Sequence, residues 1–580
     1  LGVAKWIEHH HEGHWSDVQV DALAHHYGVA AELLTDLGAV DQLSGGVRAD
    51  ALNWVDEAAA RAEKLRLLPA VERLCTQALL LAGPEPSPIR LGLLLRRARA
   101  RVELRESWAA EADAAEADEV ATLLDDPRGR ASVLLVRGDL EQKAGELSAA
   151  LLTLDAAVTG FEAAGDDEGR AEALRTRAIA ELFAGRLEEA ERSALEALTA
   201  FRSLGRRRGE AWALQNLAWV ALSRGRADEA NHYVDSSLAV FHDLGDAGGA
   251  AWARGLQAFL RFQEGDAATA IALQEQVLAE ARANGDQWAI GMMLLLGATI
   301  RCWTGRTDEA VVYGEEGLAL FQSLHDGFGQ ARIVWPLGRA LAMSGRVTEG
   351  VMVLEETWEA AEQQSPEDRG VTAAALASTL VHLGRPEPAL AVLEWPWDES
   401  VDHGDGPDES QLAAGLALLQ LGRVDESVGV LRDAMTSAGH GTVGLATRAA
   451  AALAFGAAGD TQRAGELAQS VLGDPRSSYY DRFLVLVAQG LAAARSGDRD
   501  GVRRSFAILR DEIDHTGDVL SQALARLAEG RALDLIGSSD AIDVAAEGWS
   551  RMHQLGVEAT GWITAFDRGL GTAATDSVPA

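Results

Sequence analysis

The chain has 580 residues, 48% of them apolar, and a formal net charge of −36. That length exceeds what a single hydrophobic core supports but suits an array that grows by stacking, and the charge argues against direct binding to nucleic acid or anionic membrane, both of which need a basic surface. The only cysteines, Cys75 and Cys302, supply no disulfide framework and fit a reducing, cytoplasmic compartment.

No secretory leader and no apolar run long enough to span a bilayer is read in the sequence. The first residue is Leu1, already in helix-like sequence, so further domains are expected upstream. Residues 1–88 read as helical but out of register with the rest of the chain. Leu1 to His10 is amphipathic, and a second helix covers Asp21 to Ala30. Ser44-Gly45-Gly46 is expected to break the chain. Two helices come next between Ala51 and Leu81, the second with Pro69 near its start, where the missing N–H costs little. Gly83 to Pro88 is a rigid turn, and residues 89–125 read as a degenerate helical pair without a turn glycine.

From residue 126 the register locks. Glycine falls every twenty residues from Gly145 to Gly345, with His325 standing where one is due. The intervening segments are rich in Ala, Leu, Glu and Arg, strong helix formers, and a glycine just past a helix end takes the left-handed conformation that caps it. Alternate rungs differ in context, so the repeat is forty residues: helix, tight turn, helix, second turn. Its anchors are Gly145, Gly185, Gly225, Gly265, Gly305, Gly345, Gly384, Gly422, Gly459, Gly497 and Gly537. Seven residues before each stands Gly or Ala. Five after each stands a small residue, until Val502 and Ile542 break the column. Antiparallel helices must approach closely at such positions. Phe161, Phe201, Phe241 and Phe321 recur near the end of the second helix and are expected to wedge against the next repeat.

Small residues twelve apart across a turn, inside a helix pair, resemble the tetratricopeptide pattern over residues 126–550, in its long, MalT-like variety of about forty residues rather than about thirty-four. The resemblance implies an all-α, tetratricopeptide-type right-handed superhelical solenoid of antiparallel helix pairs. It divides into 126–394 and 410–570, separated by an acidic loop or hinge at 395–409 where Trp395-Pro396-Trp397 stops a helix early, with a disordered tail at 571–580.

No catalytic constellation is visible. No lysine follows Lys143, and neither a Gly-x-Ser-x-Gly elbow nor a Cys-x-x-Cys pair occurs. His9, His10, His11, His14, His25 and His26 attract notice, and His10 and His14 could share a helical face. A third ligand is lacking and Gly13 weakens the helix, so they read as solvated or capping histidines, and no metal or other cofactor is expected. Arg206, Arg207 and Arg208 form a basic cluster at an inter-repeat turn, either a solvated charge run or a dock for an acidic partner.

In tetratricopeptide arrays the first helix of each pair lines the concave face. Carried onto this register, that places Arg175, Trp212, Gln215, Trp219, Trp252, Phe259, Trp303, Arg332, Trp335 and Arg339 in a groove. Aromatic rings interleaved with arginine suit a protein or peptide partner, or a small amphipathic ligand. The alternative is that curvature buries the rings between repeats.

Ala4-Lys-Trp-Ile-Glu8, Leu23 to Ala30, Asn53-Trp54 and Ala58 to Ala62 resemble the junction that follows the nucleotide-binding and winged-helix parts of bacterial STAND-type regulators. There, a class III adenylate or guanylate cyclase, or a LuxR-type DNA-binding domain, precedes the ATPase and its repeats. The resemblance implies a non-catalytic sensor arm in contact with upstream domains. A stand-alone scaffold is the alternative.

Overall fold

The computed structural model describes residues 1–10, 15–36, 44–64, 67–361, 366–394, 407–437 and 442–570. Among them are 29 helices and no strand. Of the loop expected at 395–409, residues 395–406 lie outside the described residues, as do the tail after 570 and His11 and His14; residues 407–409 instead open the helix Pro407–Gln420. The described chain forms two compact units, Leu1–Val220 with His232–Ala250, and Ala221–Asn231 with Ala251–Ala580.

The glycine ladder is the punctuation of the fold. Each glycine rung from Gly145 to Gly537 has φ between 64° and 93°, and His325 takes the vacant rung at φ 52°. The residue after the rung donates its N–H five residues back, as Arg186 does to the Glu181 carbonyl at 2.8 Å. This backward bond satisfies a carbonyl that the helix end would otherwise leave open. The helices between are the expected pairs, Asp167–Phe183 with Leu187–Ser203 being one and Gly327–Met343 with Val347–Ala361 another.

Within a pair, the small column sets the axis separation. A Cβ on Gly138 would meet Leu154 at 2.6 Å, one on Gly338 would meet Leu354 at 2.5 Å, and one on Gly415 would meet Leu431 at 2.5 Å. Gly350, on the partner column, lies against the Gly338 carbonyl itself. The expected column fails at its last member. Ile542 is 79% exposed, and Ala541, 4% exposed, takes the inward place. The second helix of this pair starts at Ala541, four residues after Gly537, whereas Leu147 starts two after Gly145; the two extra turn residues rotate the helix.

The phenylalanines are wedges with sockets. Phe161, Phe201, Phe241 and Phe321 are at most 1% exposed, and each ring presses on the third residue of the next helix. Cβ atoms added at Gly169, Gly209, Gly249 and Gly329 would stand 2.2–2.4 Å from those rings. Three of these sockets follow an N-cap aspartate: the side chains of Asp166, Asp246 and Asp326 accept from the N–H of Gly169, Gly249 and Gly329 at 2.9–3.0 Å. One short motif therefore caps the helix and seats the ring of the preceding repeat.

Two sequence expectations need correction. Ser44, Gly45 and Gly46 do not break the chain; they form the first turn of the helix Ser44–Lys64, because a helix start tolerates glycine far better than its interior does. Leu147–Ala164 is long and apolar enough to cross a membrane by length and composition. It is here the second helix of a pair, with Leu147, Leu151, Leu154 and Phe161 buried. The pair Pro88–Glu103 and Ser107–Leu123, read as lacking a turn glycine, makes its turn with Arg105 at φ 62°. Arg97 and Arg101 clasp Asp113 across this pair, with Arg97 Nη2 at 2.6 Å and Arg101 Nη1 at 2.9 Å from the carboxylate.

The second unit closes on itself. Turns of its early repeats touch the starts of much later first helices. Gly517 donates its N–H to the Gly305 carbonyl at 2.7 Å, Gly561 donates to the Gly384 carbonyl at 3.2 Å, and Gly265 abuts the Pro475 backbone. The helix Thr560–Leu570 then packs across the first helices Pro407–Gln420, Thr442–Ala458, Tyr479–Arg495 and Val519–Leu535. Their inner face is consequently core.

Candidate protein-interaction face

The ten predicted groove residues divide between the two units. Arg175, Trp212, Gln215 and Trp219 belong to the first. Arg175 lies on the helix Asp167–Phe183 and donates Nε to Glu172 at 2.9 Å. Burial works against its charge, but the carboxylates of Glu172, Asp139 and Glu103 outweigh that and raise its pKa. Trp212 and Trp219 are half-buried on the helix Arg207–Ser223. The Trp212 indole meets the wedge Phe241 edge-on at 5.2 Å. Gln215 is buried, and its Nε2 donates to the Gly249 carbonyl at 3.3 Å. Gln215 therefore braces the socket glycine.

In the second unit the aromatic residues are paired. Trp252, on the helix Ala247–Gln263, stacks on Trp288, on Gln287–Trp303, with centroids 5.0 Å apart and planes 24° from parallel. Each indole N–H reaches an N-cap aspartate, Trp252 to Asp286 at 3.3 Å and Trp288 to Asp326 at 3.1 Å. Trp303 meets Phe262 edge-on at 5.8 Å. Phe259 is half-buried against the same cluster. On Gly327–Met343 the Arg332 guanidinium lies over Phe328 at 3.5 Å, and Trp335 is half-buried against the core. Arg339 points to the later repeats, its guanidinium 4.8 Å from the Tyr480 ring.

Trp212, Trp219, Trp252, Phe259, Trp288, Trp303 and Trp335 are neither fully buried nor fully exposed. Each packs one part against its neighbours and leaves a rim. Such rings hold repeats together and also offer flat apolar surface with polar handles, the combination that recurs at binding hot spots. Trp288 was not among the predicted residues. Its signal was available, since 288, 292, 295, 299 and 303 recur at helical spacing on one stripe.

The basic cluster is consumed internally. Arg206 pairs with Glu168 at 2.8 Å, Arg207 with Asp243 at 3.2 Å and Arg208 with Asp246 at 2.7 Å. The acids of adjacent repeats, invisible as neighbours in the sequence, neutralise it. His10 donates through Nδ1 to the Trp6 carbonyl, 2.9 Å away, and stacks on that indole at 4.7 Å. Among the described residues, no three His, Cys, Asp or Glu side chains gather closely enough to hold a metal ion. Cys75 and Cys302 are buried thiols, pushed up to about 12 and about 11 by burial.

A buried polar cluster in the second unit had no sequence signal. His382 ends the helix Pro366–His382, stacks on Tyr480 at 4.5 Å, and meets Ser521 Oγ at 3.2 Å through Nε2. Tyr479 donates its hydroxyl to Asp518 at 2.9 Å. Burial, with Arg339 nearby, holds the His382 imidazolium well below its usual range, so the ring is neutral. Ser, His and Asp meet here, but Ser521 and Asp518 both face Nε2. A nucleophilic relay needs them on opposite nitrogens, so this cluster is a structural joint.

The fold is thus all-α, a tetratricopeptide-type stack of antiparallel helix pairs. Residues 169–243 match the family model of the tetratricopeptide repeat. Among solved structures the chain is similar to a Rap protein complexed with competence and sporulation factor, at 16% identity and TM-score 0.46, covering 67% of this chain and 97% of that one. It is similar to NprR in complex with its cognate peptide NprX, at 15% identity and TM-score 0.43, covering 61% and 99%. A third is a STAND protein with a tetratricopeptide repeat sensor from Pyrococcus horikoshii, at 14% identity and TM-score 0.35, covering 55% and 52%. No curated protein matches the sequence.

Proposed function

We propose that the chain is a non-catalytic interaction and sensor module that takes a protein or peptide partner on its first-helix faces. The observation that carries this reading is the half-buried aromatic row of the second unit, above all the Trp252–Trp288 stack, whose indoles hydrogen-bond to helix caps. Flat, rigid rings with an exposed rim bind extended apolar segments at low entropic cost. Helical-repeat arrays present long binding surfaces of this kind, and the family match at residues 169–243 supports that role. Arg175, Trp212 and Trp219 form the corresponding stretch of the first unit, braced from beneath by buried Gln215; Trp252, Phe259, Trp303, Arg332, Trp335 and Arg339 form that of the second.

The resemblance of residues 1–88 extends the reading. The module would sit in the cytoplasm behind a STAND-type ATPase with a cyclase output, and partner binding would shift the population of two states of that parent protein. The test is the parent's nucleotide turnover and cyclic-nucleotide output with Trp252→Ala and Trp288→Ala combined. Loss of the partner response at unchanged helicity is expected. Loss of helicity would make the rings core, and an unchanged response would remove them from the binding face.

A further inference from the structure

The helix Thr560–Leu570 is the last described element, and it behaves as an occupant of the second unit. It has no second helix to pair with among the described residues, and it spans the inner face of four first helices. Its attachment is that of a docked amphipathic helix. Trp562 and Phe566, one turn apart, are both 0% exposed. The Trp562 indole donates to the His382 carbonyl at 2.8 Å. Gly561 sits where a Cβ would meet Gln420 Oε1 at 2.6 Å, and Asp567 pairs with Arg531. The connection to the preceding helix, Ala541–Gln554, is short and strained. It includes Gly556 at φ 67° and Ala559 at φ 50°, and a non-glycine residue in the left-handed region is strained.

We propose that the inner face of the last four repeats is a helix-accepting groove, filled in cis by Thr560–Leu570, and that a partner's amphipathic helix carrying the same Gly-Trp-x-x-x-Phe-Asp pattern takes its place. The chemistry of the occupant defines that partner. An aromatic pair at i and i+4 fills the two deep positions, glycine before the tryptophan permits the close approach at Gln420, and an acid after the phenylalanine meets Arg531. Recognition of an amphipathic helix by i and i+4 anchors is a general mode, and the strain at Ala559 lowers the cost of releasing the resident helix. This inference is independent of the aromatic row on the earlier repeats.

The probe is a fluorescent peptide with the sequence of residues 557–570, added to the full chain and followed by anisotropy. Trp562→Ala with Phe566→Ala in the chain vacates the groove. The peptide is expected to bind this variant at least about tenfold more tightly than the unaltered chain, one per chain, and replacing both aromatic residues in the peptide should abolish binding. A variant that keeps its helicity yet binds no peptide overturns the proposal. Should the variant lose its fold, a protease site inserted after Glu558 in the otherwise unaltered chain serves instead. After cleavage the labelled peptide should exchange with the cut helix, and absence of exchange over days overturns the proposal. Dimers that form through swapped helices would assign the groove to a second copy, overturning the partner.

Discussion

Gly169→Ala isolates the ring-and-socket joint between repeats. Gly169 is the third residue of the helix Asp167–Phe183, where alanine would normally gain about 0.5–1 kcal/mol over glycine. Here the added Cβ would stand 2.4 Å from both Cδ1 and Cε1 of Phe161. Ordinary contact begins near 3.4 Å, so the ring must retreat by roughly 1 Å. It has nowhere to go, being 1% exposed and packed with Ala131, Ala157 and Ala173. Overpacking of this kind costs about 1–3 kcal/mol, so the net loss should be about 0–2.5 kcal/mol. With Phe161→Ala as background, itself costing about 3–5 kcal/mol, the ring clash is gone and only the side-chain oxygen of Asp166, 2.9 Å from the added Cβ, must give, so Gly169→Ala should become near neutral or mildly stabilising. The coupling between the two sites is then about 1–3 kcal/mol. Gly92, with nothing within 4 Å of an added Cβ, supplies the control, and Gly92→Ala should raise stability. The assay is the urea midpoint by circular dichroism, with amide exchange in Asp167–Phe183 to localise the effect. If Gly169→Ala stabilises the parent chain as much as Gly92→Ala does, the socket argument is wrong.

Other consequences are equally direct. His325→Gly removes a left-handed non-glycine residue at an exposed turn and should stabilise by about 1 kcal/mol, read as a raised thermal midpoint. Asp113→Ala leaves Arg97 and Arg101 without their shared carboxylate; a loss of about 3 kcal/mol is expected, and a neutral result would show that both arginines find water. The His382 ring is faced by Arg339, Tyr480, Asp518 and Ser521, while Tyr479 bonds to Asp518 and Trp562 to the His382 backbone carbonyl. Its pKa is lowered in the fold, so the unfolded chain binds the extra proton first, and stability falls as pH drops below about 6.5. Asp481, raised to about 6 by burial, works in the opposite sense between about pH 4 and 6. The difference between the parent chain and His382→Gln removes the Asp481 contribution, and parallel urea midpoints from pH 7 to 5 would contradict a buried neutral histidine.

Local chemistry accounts for what was legible beforehand. Glycine ladders, small columns and recurrent phenylalanines are consequences of backbone conformation and of two helices in contact. Both are written within forty residues. The Asp-x-x-Gly sockets at Asp166, Asp246 and Asp326 were equally local and could have been read from the same register. The fate of Arg206 to Arg208 was harder to see, because their acids sit about forty residues away on the neighbouring repeat.

The sequence by itself determined the repeat: where each helix stops, which positions must stay small and which ring enters the next pair. These follow from steric limits on φ and on axis separation that act over a few residues. Only the tertiary structure decided which first-helix faces remain partly open. In the second unit, Gly305 meets Gly517 and Gly384 meets Gly561. Small rotations between repeats add up over some two hundred residues, and no single repeat encodes their sum. That sum leaves Trp252 and Trp288 with an exposed rim. It also buries His382 and seats Trp562 at the centre of the later repeats.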